Sequence, residues 1–122
     1  HANYRLGVLV GLSANVDGVE EAGKDVAMQI AAMNPIAIDK DGVDAHTIER
    51  EIAIAKEQIM AEGKPAEMAE KIAAGKLNKF FKETTLLNQE FVKDNSKSIA
   101  QFLDSVSKGL TVTAFKRVQL GA

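Results

Sequence analysis

Residues 45–83 read AHTIEREIAIAKEQIMAEGKPAEMAEKIAAGKLNKFFKE, two helix-like runs separated by Glu62-Gly63-Lys64-Pro65. In the first run Ile48, Ile52, Ala55 and Ile59 recur at steps of four, three and four, a coiled-coil-like stripe along one helical face. Asp44 stands just before it as an N-cap, its carboxylate able to accept from the first free backbone N–H groups. Gly63 ends the run. Pro65 falls in the first turn of the second helix, where its missing N–H costs nothing. That helix carries Met68, Ile72, Leu77, Phe80 and Phe81 as far as about Glu83. A connection this short forces the two helices antiparallel, which predicts a helical hairpin over about 45–83.

Upstream, Arg5 to Leu12 alternates as a strand does. Leu6, Val8, Val10 and Leu12 share one face, while Arg5, Gly7, Leu9 and Gly11 share the other. The two glycines leave that second face little side chain. After a turn-rich stretch, Val19, Ala22, Val26, Ile30 and Met33 mark a helix from Val19 to Met33, stopped by Pro35. Residues 36–42 then read as a loop. Downstream of the hairpin, Thr84 to Asn95 reads as irregular, with Leu86, Leu87, Phe91 and Val92 set among polar residues. Ser98 to Ser107 is a short helix with Ile99, Phe102, Leu103 and Val106 on one side. Thr111 to Leu120 is a strand rich in β-branched residues, with Val112, Ala114, Val118 and Leu120 on one face and Phe115 on the other. This order predicts an α+β fold, a single domain over residues 1–122. Its small antiparallel sheet is packed by helices and carries a projecting antiparallel helical hairpin. Two strands alone are marginal in water, so a third strand is expected in the sheet.

The composition narrows the function classes. Of 122 residues, 46% are hydrophobic, enough for an ordinary small core without a disulfide or metal staple. There are no cysteines, which removes thiolate ligands, disulfides and cysteine nucleophiles, and points to a reducing cytoplasm. The net charge of −2 argues against direct nucleic-acid binding, which calls for a strongly basic surface. No apolar run reaches the ~20 residues of a membrane span, and no signal-peptide pattern opens the sequence, so no membrane role is expected. The first residue is His1 and strand-like sequence follows almost at once, which suggests a piece of a longer chain.

Chemistry is sparse. His1 and His46 are the only histidines, and neither has the convergent partners that a zinc site needs. His46 reads as a solvated residue in the first turn of a helix. The acidic residues Glu20, Glu21, Asp25, Glu49, Glu51, Glu67 and Glu70 read as polar helix faces; Glu67 and Lys71, for example, stand at i, i+4. No GxxxxGK[ST] phosphate loop occurs. No catalytic, cofactor-binding or metal-binding residue is assigned, and no cofactor is expected. Interaction features stand out instead. The segment Leu86–Lys93 places apolar residues in a loop, where they must tuck into the core or meet a partner. Phe91 reads first as a core plug, whereas Val92 serves either purpose.

Four stretches resemble the elongation factor Ts family. HANYRLGVLV (1–10) is similar to its histidine, short link and first strand, and KDVAMQIAAMNP (24–35) to its most recognisable helix. EGKPAEMAEKIAAGKLNKFFKETTLLNQEFVKDNSK (62–97) is similar to its hairpin turn, second hairpin helix and following loop, and VTAFKRVQLG (112–121) to its closing core strand. Together they cover nearly the whole chain in the family's order.

The resemblance implies a translation elongation factor that binds elongation factor Tu and promotes GDP release without covalent chemistry. It implies partner contacts at His1, Phe91, Val92 and Lys93. The family's three-helix N-terminal module and its Thr-Asp-Phe-Val subdomain have no counterpart here, so this chain corresponds to the docking subdomain with the hairpin. Glycines commonly follow the family's histidine, where this chain has Ala2, Asn3 and Tyr4. The family also has a strand just before that histidine, so an unpaired edge is expected, with either association of copies through it or disorder of the first residues. The alternative is a structural or oligomerisation module that dimerises through the hairpin.

Overall fold

The computed structural model describes residues 4–121. Its elements run β1 (Tyr4–Leu12), α1 (Val19–Met33), α2 (Ala45–Ala61), α3 (Ala66–Thr84), β2 (Glu90–Phe91), β3 (Asp94–Ser98), α4 (Ile99–Val106) and β4 (Val112–Gly121). Short 3-10 turns at Lys40–Gly42 and Leu86–Asn88 link them. The arrangement is α+β, as the sequence order predicts.

β1 and β4 pair antiparallel, from Tyr4 opposite Gly121 to Gly11 opposite Ala114, and the next pair is Leu12 with Val112. Thr113 is therefore an extra residue, a bulge. Because strand side chains alternate, one inserted residue exchanges the faces beyond it. Val112 faces the core at 4% exposure, and after the bulge Phe115 packs against that core. The expectation that Val112, Ala114, Val118 and Leu120 share a face is thus corrected: Ala114, Lys116, Val118 and Leu120 look outward, Leu120 being 63% exposed. The expected third strand is not found among the described residues. β1 and β4 form a two-stranded sheet, and β2 with β3 forms a second, separate one.

Helices supply the cover that a two-stranded ribbon requires. Ala22, Val26 and Ile30 of α1, Ile99 and Leu103 of α4, and Leu86, Phe91, Leu110 and Val112 form the main core, flanked by Val8, Val10 and Leu12 of β1. Fully burying a side chain such as Ile30 or Leu103 contributes about 1.5–3 kcal/mol. α4 is short but well started: Ser98 Oγ accepts from the Gln101 N–H, and the Gln101 side chain accepts from the Ser98 N–H.

α1 ends where the sequence predicts, and its last turn is closed from another element. Asn34 takes a left-handed conformation (φ 47°) and its N–H bonds the Ile30 carbonyl. The next carbonyl, that of Ala31, would be served by the N–H of residue 35, which proline lacks. Arg117 Nη2 of β4 donates to it at 3.2 Å instead. The charged guanidinium also sits at the negative end of the helix dipole. Met33, expected on the buried stripe, is 46% exposed because the core ends one turn earlier.

The helical hairpin is present. Gly63 has φ +71°, its N–H bonds Met60 O and the Lys64 N–H bonds Ile59 O, the paired closure of a Schellman end. Pro65 lies one residue earlier than expected, at the N-cap of α3. Ala55 and Ile59 pack against Ala69, Ile72 and Ala73, while Ile48 shares a second cluster with Leu77, Phe80 and Phe81. Rising positions in α2 meet falling positions in α3, so the pair is antiparallel. The segment 84–95, expected to be irregular, instead holds a 3-10 turn, β2 and the start of β3.

The bulge makes a measurable demand. Phe115→Ala should lower unfolding free energy by about 2 kcal/mol or more in urea titrations, whereas Leu120→Ala should stay within about 0.5 kcal/mol. The opposite order would restore the face assigned by simple alternation.

Candidate partner-docking site

Val92 and Lys93 form the turn between β2 and β3, and α1 holds that turn in place. Phe91 is 3% exposed and stacks on Phe102 of α4, ring centroids 4.3 Å apart at 30°. It is a core residue, in line with its reading as a plug. The chain turns immediately after it, and Val92, in that turn, is 50% exposed. Lys93 reaches back to α1, its Nζ 2.8 Å from Asp25 Oδ1. Its pKa is held above the ordinary lysine value by the hydrogen bond to Asp25 and by that carboxylate's charge. A raised lysine contributes stability below its unfolded pKa and loses it only as pH rises through the raised value, so the contact persists through neutral pH.

The backbone of the turn is fixed by Gln29. This side chain is fully buried; its Oε1 accepts from the Val92 N–H at 2.9 Å, and its Nε2 donates to Glu90 O at 2.9 Å and to Gln89 Oε1 at 3.2 Å. Gln89, also buried, donates onward to Glu83 O at the end of α3. On the far side of the turn, Asp94 accepts from the Ser96 N–H and hydroxyl, and these bonds hold its carboxyl below the usual carboxylate range. That contribution is present above the ordinary carboxylate pKa and fades as pH falls through the lowered one.

Of the four residues expected at the partner contact, three are described. Phe91, Val92 and Lys93 lie together, with Val92 and Lys93 exposed and Phe91 beneath them; His1 lies outside the described residues. His46 is exposed at the start of α2, where its N–H meets Asp44 Oδ1 at 3.4 Å. Asp25 departs from its reading as part of a polar face, because it is only 8% exposed and paired. Gln29 was not singled out in the sequence. The signal was available: Asp25 and Gln29 stand at i, i+4, each one position before a buried stripe residue, Val26 and Ile30. Among the described residues no group of His, Cys, Asp and Glu comes together as a metal site. Among the described residues no helix is long and apolar enough to cross a membrane.

The family described as Elongation factor TS matches residues 1–122. Elongation factor Ts of Cytophaga hutchinsonii is 66% identical over 122 residues, which cover 98% of this chain and 44% of that protein. Elongation factor Ts of Amoebophilus asiaticus is 60% identical over 123 residues, covering 100% of this chain and 44% of the relative. Elongation factor Ts of Oleidesulfovibrio alaskensis is 44% identical over 132 residues, covering 100% of this chain and 67% of the relative. The chain thus spans less than half the length of the first two relatives. With the family's pattern running from the first residue to the last, the chain belongs to the elongation factor Ts family.

Proposed function

We propose that this chain binds elongation factor Tu as the docking part of its guanine-nucleotide exchange factor, acting in the cytoplasm and without covalent chemistry or a cofactor. Family membership along the whole chain carries the proposal. The exposed turn at Val92 and Lys93, fixed from beneath by Phe91, supports it as the contact surface, with His1 as a further contact. A half-exposed apolar side chain on a rigid turn loses little conformational freedom on binding, which favours affinity.

The energetic role follows from linkage. A partner that binds nucleotide-free elongation factor Tu more tightly than the GDP form must lower GDP affinity by the same factor. The size of that factor depends on contacts near the nucleotide. The Thr-Asp-Phe-Val segment that the family resemblance assigns to that task does not occur in this sequence.

Dimerisation through the hairpin is a weaker reading. Ala55 and Ile59 are buried against α3 within one chain, so much of the seam that would serve a second copy is already covered. In ultracentrifugation, a mass that doubles with concentration and returns to the monomer when a charge is placed on the hairpin seam would support the alternative; doubling that survives that change would point to strand-edge association instead.

Two outcomes test the proposal. In calorimetry with elongation factor Tu the chain should bind, while GDP release in stopped flow should remain near its unassisted rate; full exchange would refute the division of labour, and no binding would refute docking. Val92→Ala should weaken binding by about 1–2 kcal/mol with little change in melting temperature. A melting shift without a binding loss would make Val92 a packing residue only.

A further inference from the structure

We infer that Gln29 is a positioning residue for partner recognition, its buried amide holding the 90–92 backbone so that Val92 is presented outward. The inference rests on the docking reading of Val92 and extends it to a residue that touches no partner.

The hydrogen-bond arrangement carries the argument. One side-chain amide bridges the carbonyl of Glu90 and the N–H of Val92, the two main-chain groups that flank Phe91. The Val92 N–H can only donate and the Glu90 carbonyl can only accept, so a single orientation of the amide satisfies both. Its remaining Nε2 hydrogen goes to Gln89 Oε1, which leaves the group paired on every side that the protein presents. The Gln29 side chain is fully buried, and an apolar side chain there would take from the part-buried Val92 N–H and Glu90 carbonyl their partner within the protein.

Phe91 alone does not set the direction of Val92. Its ring is held between the core and Phe102, but an extended backbone can still rotate about that anchor. The amide removes this freedom by holding the chain on both sides of the ring. The Lys93–Asp25 pair adds a second tie one turn back along the same helix. Gln29 and Asp25 lie at i, i+4 and so grip consecutive residues of the turn.

The test combines amide hydrogen exchange with a double-mutant cycle on the 122-residue chain. In the unmutated chain the Val92 amide should be protected despite lying in a turn. In Gln29→Met, close in volume but unable to pair, it should exchange roughly tenfold faster or more, while the amides of the β1–β4 ladder keep their protection. Binding to elongation factor Tu should fall about tenfold in Gln29→Met. Val92→Ala added to that variant should then cost less than it does alone, since the valine is already misplaced.

An unprotected Val92 amide in the unmutated chain overturns the inference. So do independent, multiplicative effects of the two substitutions on binding, which a residue of purely structural importance would give. If Val92→Ala alone leaves binding unchanged, the docking reading falls, and the exchange data still decide whether Gln29 holds the turn. Should Gln29→Met fail to fold, Gln89→Met, which removes one of the amide's three hydrogen bonds, is read in the same way with a smaller effect.

Discussion

Helix α1 is buried along two adjacent stripes, and the remaining elements are placed by what each stripe demands. Ala22, Val26 and Ile30 are apolar and nearly fully covered, by the ribbon on one side and α4 on the other. Asp25 and Gln29, one position earlier in each turn, are buried as well but polar. An apolar stripe accepts any well-packed neighbour, whereas a buried polar one requires partners at defined positions. Segment 89–93 meets that requirement with a side-chain amide, two main-chain groups and an ammonium. The turn therefore owes its place to the need to satisfy α1, and the exposure of Val92 follows from that place.

The same helix explains the ribbon's register. Pro35 leaves the Ala31 carbonyl without its usual donor, and Arg117 supplies one from β4. For Arg117 to point inward, β4 must change phase after Val112, which the bulge at Thr113 accomplishes. Beneath the helix a two-residue β2 and a polar β3 would not hold together alone. They persist because Phe91 enters the core and Gln29 bonds the main chain on both sides of it.

Elements with a period were legible in the sequence, and those without one were not. Val19 to Met33 and the two hairpin helices could be bounded because apolar steps, Gly63, Pro65 and Pro35 all agree. β3 reads Asp94-Asn95-Ser96-Lys97-Ser98, which carries neither alternation nor β-branched residues, so nothing local announces a strand. The bulge leaves no mark either, because Thr113 is an ordinary strand residue and only its pairing reveals it. At the site, the family resemblance pointed to Phe91, Val92 and Lys93. The residues that hold them were hidden because Asp25 and Gln29 look like the solvated edge of an amphipathic helix. Their burial is a tertiary fact, created by a segment some sixty residues further along.

The central claim is that this chain meets elongation factor Tu through the turn that α1 holds. Methyl-selective NMR, with the labelled chain titrated by elongation factor Tu, reads that contact without a substitution. The account predicts that the Val92 methyl signals shift or broaden on binding while those of buried Val26 and Leu103 stay in place. Binding with unchanged Val92 methyl signals would contradict it.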